Sequence, residues 1–347
     1  MNREKRRGDD KRRSPADPLD QSSTPRRRSA STGAWSSRSL GSRFKHEIFY
    51  RLIRHLGPWA AYPLLYPVVF YYSCRPSVRN RSRPYLRRRF PGSGFFRSWV
   101  QAFRLNLVFA LVLLERAILG LKGRMEFQDP EGGGQTVENL LAEGRGLIML
   151  TAHVGAWQTG LGWFHGGVQV NIVQRRQEQD VDLHYFEHER TRRRSKPPPG
   201  RQSRLNPEIR PPRIINAEEP AAALAAVTSA LLGGEIVCLM GDRVRAEDGL
   251  TVPVSFLGGT IALPGAPFYL AAKTGAPLAV VFTRRLGPSK VAGEIRRVIR
   301  TEAFGPIART ADSIKPLAQE FADCLEEYVR ENPYQFFNFY DLWVKDE

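Results

Sequence analysis

Only three cysteines occur in the 347 residues of this chain. Cys74, Cys238 and Cys324 stand far apart, odd in number and outside any CxxC spacing. That usage excludes a disulfide framework and a cysteine zinc site, and it fits a reducing, cytoplasm-facing compartment. Neither a Gly-rich dinucleotide fingerprint nor a P-loop spacing is present, so nucleotide chemistry has no support. There is no repeat at a solenoid period. The N-terminus lacks the apolar core and small-residue cleavage site of a secretory signal. Acidic residues are scarce: 35 Asp and Glu face 52 Lys and Arg, leaving a net charge of +17. Acidic partners are expected, among them anionic lipid headgroups and acidic carrier proteins. The basic runs lie in a tail and in loops, which disfavours nucleic acid.

The first 45 residues hold 13 Lys and Arg and 5 Asp and Glu, with Ser and Pro forming much of the rest. A segment so poor in apolar surface cannot offset its chain entropy, so residues 1–45 read as a disordered basic tail. Residues 46–125 read as a membrane-associated helical region. Its first apolar stretch, 57–73, has about the length of a short spanning helix, but Pro58, Pro63 and Pro67 interrupt it. Trp59, Tyr62, Tyr66, Phe70, Tyr71 and Tyr72 are the residue types enriched at membrane interfaces. The second stretch, 105–121, carries Glu115 and Arg116 and makes a poor span. It suits an amphipathic helix with Phe103, Leu107, Leu111 and Leu114 on one face. Arg75, Arg79, Arg81, Arg83 and Arg87-Arg88-Arg89 rim both stretches, a pattern of attachment to an anionic membrane surface.

Residues 126–347 alternate strand and helix. Strands are expected at 147–151, 168–173, 213–215, 236–240, 252–256, 278–282 and 291–298. Helices are expected at 156–164, 181–193, 220–232, 267–274 and 314–331, with a loop over 195–212. The implied fold class is α/β, with a mixed, largely parallel central sheet flanked by helices.

The chemistry concentrates at strand ends. Behind the apolar run 147–151 comes His153-Val154-Gly155-Ala156-Trp157-Gln158. A histidine at the C-terminal tip of a strand sits where such sheets place their reactions, and it can take a proton from a hydroxyl near neutral pH. Gln158 lies within one helical turn, and its amide oxygen is positioned to accept from the imidazole. The run 236–240 ends in Gly241-Asp242-Arg243, which brings a carboxylate and a guanidinium to the same sheet edge. The third strand ends in Gln174-Arg175-Arg176. Histidine, carboxylate and arginine together suit acyl or phosphoryl groups. The turn at Leu263-Pro264-Gly265-Ala266-Pro267-Phe268 opens a helix whose N-terminus suits an anion, a weak signal on its own.

These motifs, with Phe256-Leu257-Gly258-Gly259 and the closing segment Asn332-Pro333-Tyr334-Gln335-Phe336-Phe337-Asn338-Phe339-Tyr340-Asp341-Leu342-Trp343, resemble the bacterial late lipid A acyltransferases. Those are the lauroyl and myristoyl transferases of the lysophospholipid acyltransferase superfamily. The resemblance runs in order from about residue 48 to residue 343. It implies an enzyme on the cytoplasmic face of the bacterial inner membrane. The implied reaction moves a fatty acyl chain from acyl carrier protein or coenzyme A to a lipid A-like or other membrane lipid acceptor, with no metal or bound cofactor. The family's His-x4-Asp/Glu dyad falls on His153 and position 158, where Gln158 replaces the carboxylate. The implied roles are His153 as general base, Gln158 as its orienter, Arg175, Arg176 and Arg243 on acceptor phosphate or oxyanion, and Asp242 ordering the arginines. Three accounts of Gln158 stay open: it suffices in a slower enzyme, Asp242 supplies the missing charge, or the chain is inactive. The alternatives in function are a glycerolipid or aminolipid acyltransferase and a lipid-binding protein on the same fold.

Overall fold

The computed structural model describes residues 43–122, 125–158, 167–174, 212–244, 249–301 and 310–344. The tail assigned to 1–45 lies outside them up to residue 42, as do the helix expected at 181–193, all but the end of the 195–212 loop, and most of the helix expected at 156–164. Among the described residues the helices are α1 (Arg43–His55), α2 (Pro58–Ser73), α3 (Pro76–Arg89), α4 (Phe95–Lys122), α5 (Gly133–Ala142), α6 (Pro220–Leu232), α7 (Ala266–Thr274) and α8 (Ala311–Glu331). The strands are β1 (Glu126–Gln128), β2 (Leu147–Thr151), β3 (Val170–Gln174), β4 (Arg213–Asn216), β5 (Ile236–Met240), β6 (Thr251–Phe256), β7 (Gly259–Pro264), β8 (Leu278–Gly287) and β9 (Lys290–Ile299).

Seven strands form one sheet in the order β1-β9-β8-β2-β5-β3-β4. All neighbours are parallel except the β8–β9 hairpin. The mixed, largely parallel sheet flanked by helices is therefore the fold. Buried on both faces, β2 reads as a continuous apolar run: Leu147, Ile148 and Leu150 are fully buried, each contributing about 1.5–3 kcal/mol of burial. The register that matters most pairs Thr151 with Met240, so β2 and β5 end level with each other.

A second strand pairs with the one expected at 252–256. β6 and β7 form a separate antiparallel hairpin, turned by Leu257 and Gly258, both at positive φ (46° and 69°). That is the two-residue geometry whose twist suits a hairpin. Leu257 accepts the strain because it is buried and its N–H donates to Glu326 Oε2 of α8 at 2.5 Å. The neighbouring helix start at α7 does not offer an anion site: Leu250 and Ile314 close over Gly265, and Pro267 and Phe268 are buried.

The N-terminal helices depart from the sequence reading in three ways. First, α2 is continuous through Pro63 and Pro67. Each proline costs about 3 kcal/mol in a helix interior, but both face solvent. The buried stripe Ala61, Leu65 and Val69 holds the helix against α4. Sixteen residues span only about 24 Å. No helix among the described residues is long and apolar enough to cross a membrane. Second, α4 packs on two sides. The Leu111 and Leu114 face meets α1 and α2, whereas Leu105 and Val112 join the core of the α/β layer. Third, one of its charges turns inward. Glu115 is 1 % exposed, with Arg285 of β8 donating from Nε to both oxygens at 3.0 Å and from Nη2 at 2.7 Å. Tyr62 donates its hydroxyl to the same carboxylate at 3.2 Å. Burial pushes the Glu115 carboxyl up from its usual value, and Arg285 draws it partly back.

Two of the rim arginines also serve the fold. Arg88 donates to the Gly258 carbonyl at 3.1 Å and stacks over Trp343 at 4.7 Å. Arg89 donates to the carbonyls of Val329 and Arg330 at 3.1 and 2.6 Å, at the C-terminal end of α8 where a cation is favoured. Arg81, Arg83 and Arg87 remain exposed.

Candidate active site

His153 and Asp242 each leave the sheet just beyond the paired ends of β2 and β5, and the level register brings them together. Asp242 Oδ1 and Oδ2 lie 2.9 and 3.1 Å from His153 Nδ1. The His153 backbone N–H donates to Asp242 Oδ2 at 3.0 Å. The imidazole is 18 % exposed and the carboxylate 1 %, so one end of the pair is wet and the other dry. Burial alone would push the Asp242 carboxyl up. The opposite charge and hydrogen bonds of His153, with Arg243 behind, outweigh it and hold that carboxyl well below the usual range. An ionised carboxylate only accepts, so Nδ1 carries the proton of the neutral ring and Nε2 presents its lone pair.

The turn is fixed from below by Gly155. Its φ is +52°, and a Cβ there would stand 1.6 Å from the Thr283 carbonyl oxygen and 2.9 Å from the Tyr328 hydroxyl. Only glycine lets the turn sit so close to β8. Gly155→Ala is expected to cost about 4 kcal/mol or more, read as a lowered denaturation midpoint in urea. A stability within 1 kcal/mol of wild type, as an approximate margin, would contradict that packing.

The closing segment fixes the same turn from the side. Gly155 N–H donates to Gln335 O at 2.8 Å, and Phe337 N–H donates to His153 O at 2.9 Å. Val154 and Phe336 form an antiparallel bridge, so residues 335–337 run beside 153–155 like one more short strand. The Gln335 side chain also accepts from Arg285 N–H at 2.8 Å and donates to Arg285 O at 3.2 Å. Tyr85 of α3 anchors the segment by donating to Pro333 O at 2.7 Å. Aromatic rings flank the histidine: Trp157 lies 5.5 Å from the imidazole and 5.5 Å from Phe337. Phe109 of α4 stacks on Trp157 at 6.4 Å and meets Phe339 at 4.9 Å.

The remaining residues singled out in the sequence fall into different places. Gln158 is exposed, and its Oε1 accepts from Arg116 Nη1 at 2.5 Å. The expected bond from that oxygen to the imidazole is replaced by one to the α4 guanidinium, because Asp242 already occupies Nδ1. Asp242 thus faces the histidine, where ordering of arginines was expected. Arg243 donates from Nε to Asn338 Oδ1 at 2.7 Å and from Nη2 to Phe337 O at 2.9 Å. Two of its donors are turned onto the closing segment. Arg175 and Arg176 lie outside the described residues. Asn338 was not singled out from the sequence. It is 1 % exposed, and its Nδ2 donates to Asp242 Oδ2 at 2.8 Å. Its one early signal is that a small amide interrupts a run of aromatics.

An apolar groove of about 870 Å³ lies along α2 and the β8–β9 turn, lined by Trp59, Tyr62, Pro63, Tyr66 and Pro288. Exposed aromatics continue outward from it: Trp59, Phe70 and Tyr71 on α2, and Phe95 and Phe96 at the start of α4.

No curated protein matches the chain in a sequence search. Among solved structures it is similar to the 1-acyl-sn-glycerophosphate acyltransferase PlsC from Thermotoga maritima. The identity is 11 % and the TM-score 0.34, over 77 % of this chain and 97 % of that one. The family model for bacterial lipid A biosynthesis acyltransferases matches residues 120–345, a span that holds the paired strand ends, His153, Asp242 and the whole closing segment. The chain belongs to that family and is an acyltransferase.

Proposed function

We propose that this enzyme transfers a fatty acyl chain from a thioester, carried by acyl carrier protein or coenzyme A, to a hydroxyl (or amine) of a lipid A-like acceptor at the cytoplasmic face of the inner membrane. The observation that carries the reading is a partly exposed imidazole whose Nδ1 is held by the buried, ionised Asp242. Nε2 takes the proton of the acceptor hydroxyl as its oxygen attacks the thioester carbonyl. The imidazolium so formed is stabilised by Asp242. When the tetrahedral intermediate collapses, the carbon–sulfur bond breaks and the thiolate takes the proton from Nε2. The products are an ester and a free thiol. The Trp157 ring beside the imidazole, with Phe109 stacked on it and Phe339 against Phe109, suits the start of an acyl chain.

Attachment to the membrane is supported by the exposed aromatics of α2 and α4, which stand on one helical layer with exposed arginines nearby. Such a surface suits the lipid interface, with the basic charge drawing the protein to anionic headgroups. The test is direct. Purified protein is given a fatty acyl thioester, on acyl carrier protein and on coenzyme A in parallel, with a bacterial lipid extract. Mass spectrometry is expected to find a lipid heavier by one acyl group, and thiol release in equal amount. Thioester hydrolysis alone, with no acylated lipid, would overturn the acceptor class.

A further inference from the structure

Asn338 stands behind α8, far along the chain from both strand tips, yet it lies between Asp242 and Arg243. Its Nδ2 donates to Asp242 Oδ2 at 2.8 Å and its Oδ1 accepts from Arg243 Nε at 2.7 Å. The neighbours dictate this orientation. Turned over, the amide would set its oxygen against a carboxylate and its NH2 against a guanidinium. From Arg243 the bonding passes to Phe337 O, and Phe337 N–H returns to His153 O. His153 N–H closes the circuit on Asp242. Hydrogen bonds therefore form a ring through His153, Asp242, Asn338, Arg243 and Phe337.

We propose that Asn338 is a positioning residue of the acyl transfer: it fixes the Asp242 carboxylate against the imidazole and sets the proton affinity of the His153–Asp242 pair. The inference rests on the reading of His153 as general base. With the ring neutral, the pair carries one negative charge; with the ring protonated, it carries none. A donor on Asp242 favours the charged state, so its removal raises the apparent pKa of the pair. Turnover needs the unprotonated pair, and the acid limb of the rate profile must then move to higher pH. Among the described residues, five charged or titratable groups lie on the elements packed around the pair: Arg243 on Asn338, Arg116 on Gln158, Glu115 and Arg285 paired with each other, and the Tyr328 hydroxyl beneath Gly155. A change at position 338 leaves the charge on all of them as it is.

The experiment measures kcat and KM against pH for wild type, Asn338→Leu and Asn338→Ser, with an acyl thioester on acyl carrier protein and on coenzyme A and a bacterial lipid extract. Asn338→Leu is expected to lower kcat about ten- to a hundredfold and to lift the acid midpoint by about one pH unit, with KM little changed. Asn338→Ser, which keeps a shorter donor, is expected to fall between. An unmoved midpoint, or a loss confined to KM or to the folded fraction, overturns the inference. If Asn338→Leu fails to fold, the Asn338→Ser midpoint decides alone. A His153→Ala variant run alongside separates the two levels. If it turns over like wild type, the general-base reading has failed; if it is inactive while the Asn338 midpoints stay put, only the role of Asn338 has.

Discussion

Replacing His153 by alanine is expected to lower acyl transfer by about 10²–10⁴-fold, the usual loss on removing a general base. The protein should remain folded, because the backbone bonds at this position do not involve the ring. Its N–H still reaches Asp242 and its carbonyl still accepts from Phe337. Asp242 keeps its Asn338 donor and the nearby Arg243 charge, so the buried carboxylate is not left alone. Initial rates with a thioester and a lipid acceptor, alongside a melting curve, check both halves. Turnover within about tenfold of wild type would remove His153 from the chemistry.

Asp242→Asn is expected to cost nearly as much, again on the order of 10²–10⁴ in kcat. The amide is isosteric but cannot satisfy its neighbours. If its oxygen faces Nδ1, its NH2 confronts the two donors on the other side, His153 N–H and Asn338 Nδ2. If the NH2 faces Nδ1 instead, the ring must carry its proton on Nε2 and loses the lone pair that does the work. Gln158→Leu, by contrast, breaks a surface bond to Arg116 and is expected to cost less than about tenfold. A larger loss in Gln158→Leu than in Asp242→Asn would return the orienting role to the glutamine. The carboxylate also has a signature in stability. Its folded pKa is depressed, so its contribution is fully present above the unfolded value, about 3.9, and fades as pH falls below that. Asp242→Asn should therefore be less stable than wild type at neutral pH, with the gap narrowing below about pH 4.

How much of this was legible before the structure depends on distance along the chain. Buried parallel strands announce themselves as short apolar runs between glycines, and β2 and β5 fall on the residues expected, 147–151 and 236–240. The shared sheet edge followed from that, and so did the nearness of His153 to Asp242. What no local pattern carries is register. The choice between Gln158 and Asp242 as the partner of the imidazole is settled by Thr151 lying opposite Met240, a fact of tertiary pairing. Asn338 was hidden for the same reason, since its meaning exists only where the closing segment meets the turn. The N-terminal helices were legible only in part. Composition marked the aromatics of α2 that stand exposed, but not that Glu115 is buried on Arg285 or that Arg88 and Arg89 bond to carbonyls of the β6–β7 turn and α8, nor that proline is tolerated on the open side of a helix held by its other face. Gly155 was legible as a turn; that its missing Cβ is what admits Thr283 was not.

The strap formed by residues 335–338 has a consequence for when the enzyme becomes an enzyme. A ribosome releases His153 and Asp242 well before Asn338, and β2 can pair with β5 as soon as both have emerged. At that stage the histidine turn has its carboxylate but lacks Gln335, Phe337 and Asn338 to hold either group in place. Alignment of the histidine turn therefore waits for residues 335–338 to dock beside it. A chain cut before residue 335 lacks those contacts and is expected to lose the alignment of its base.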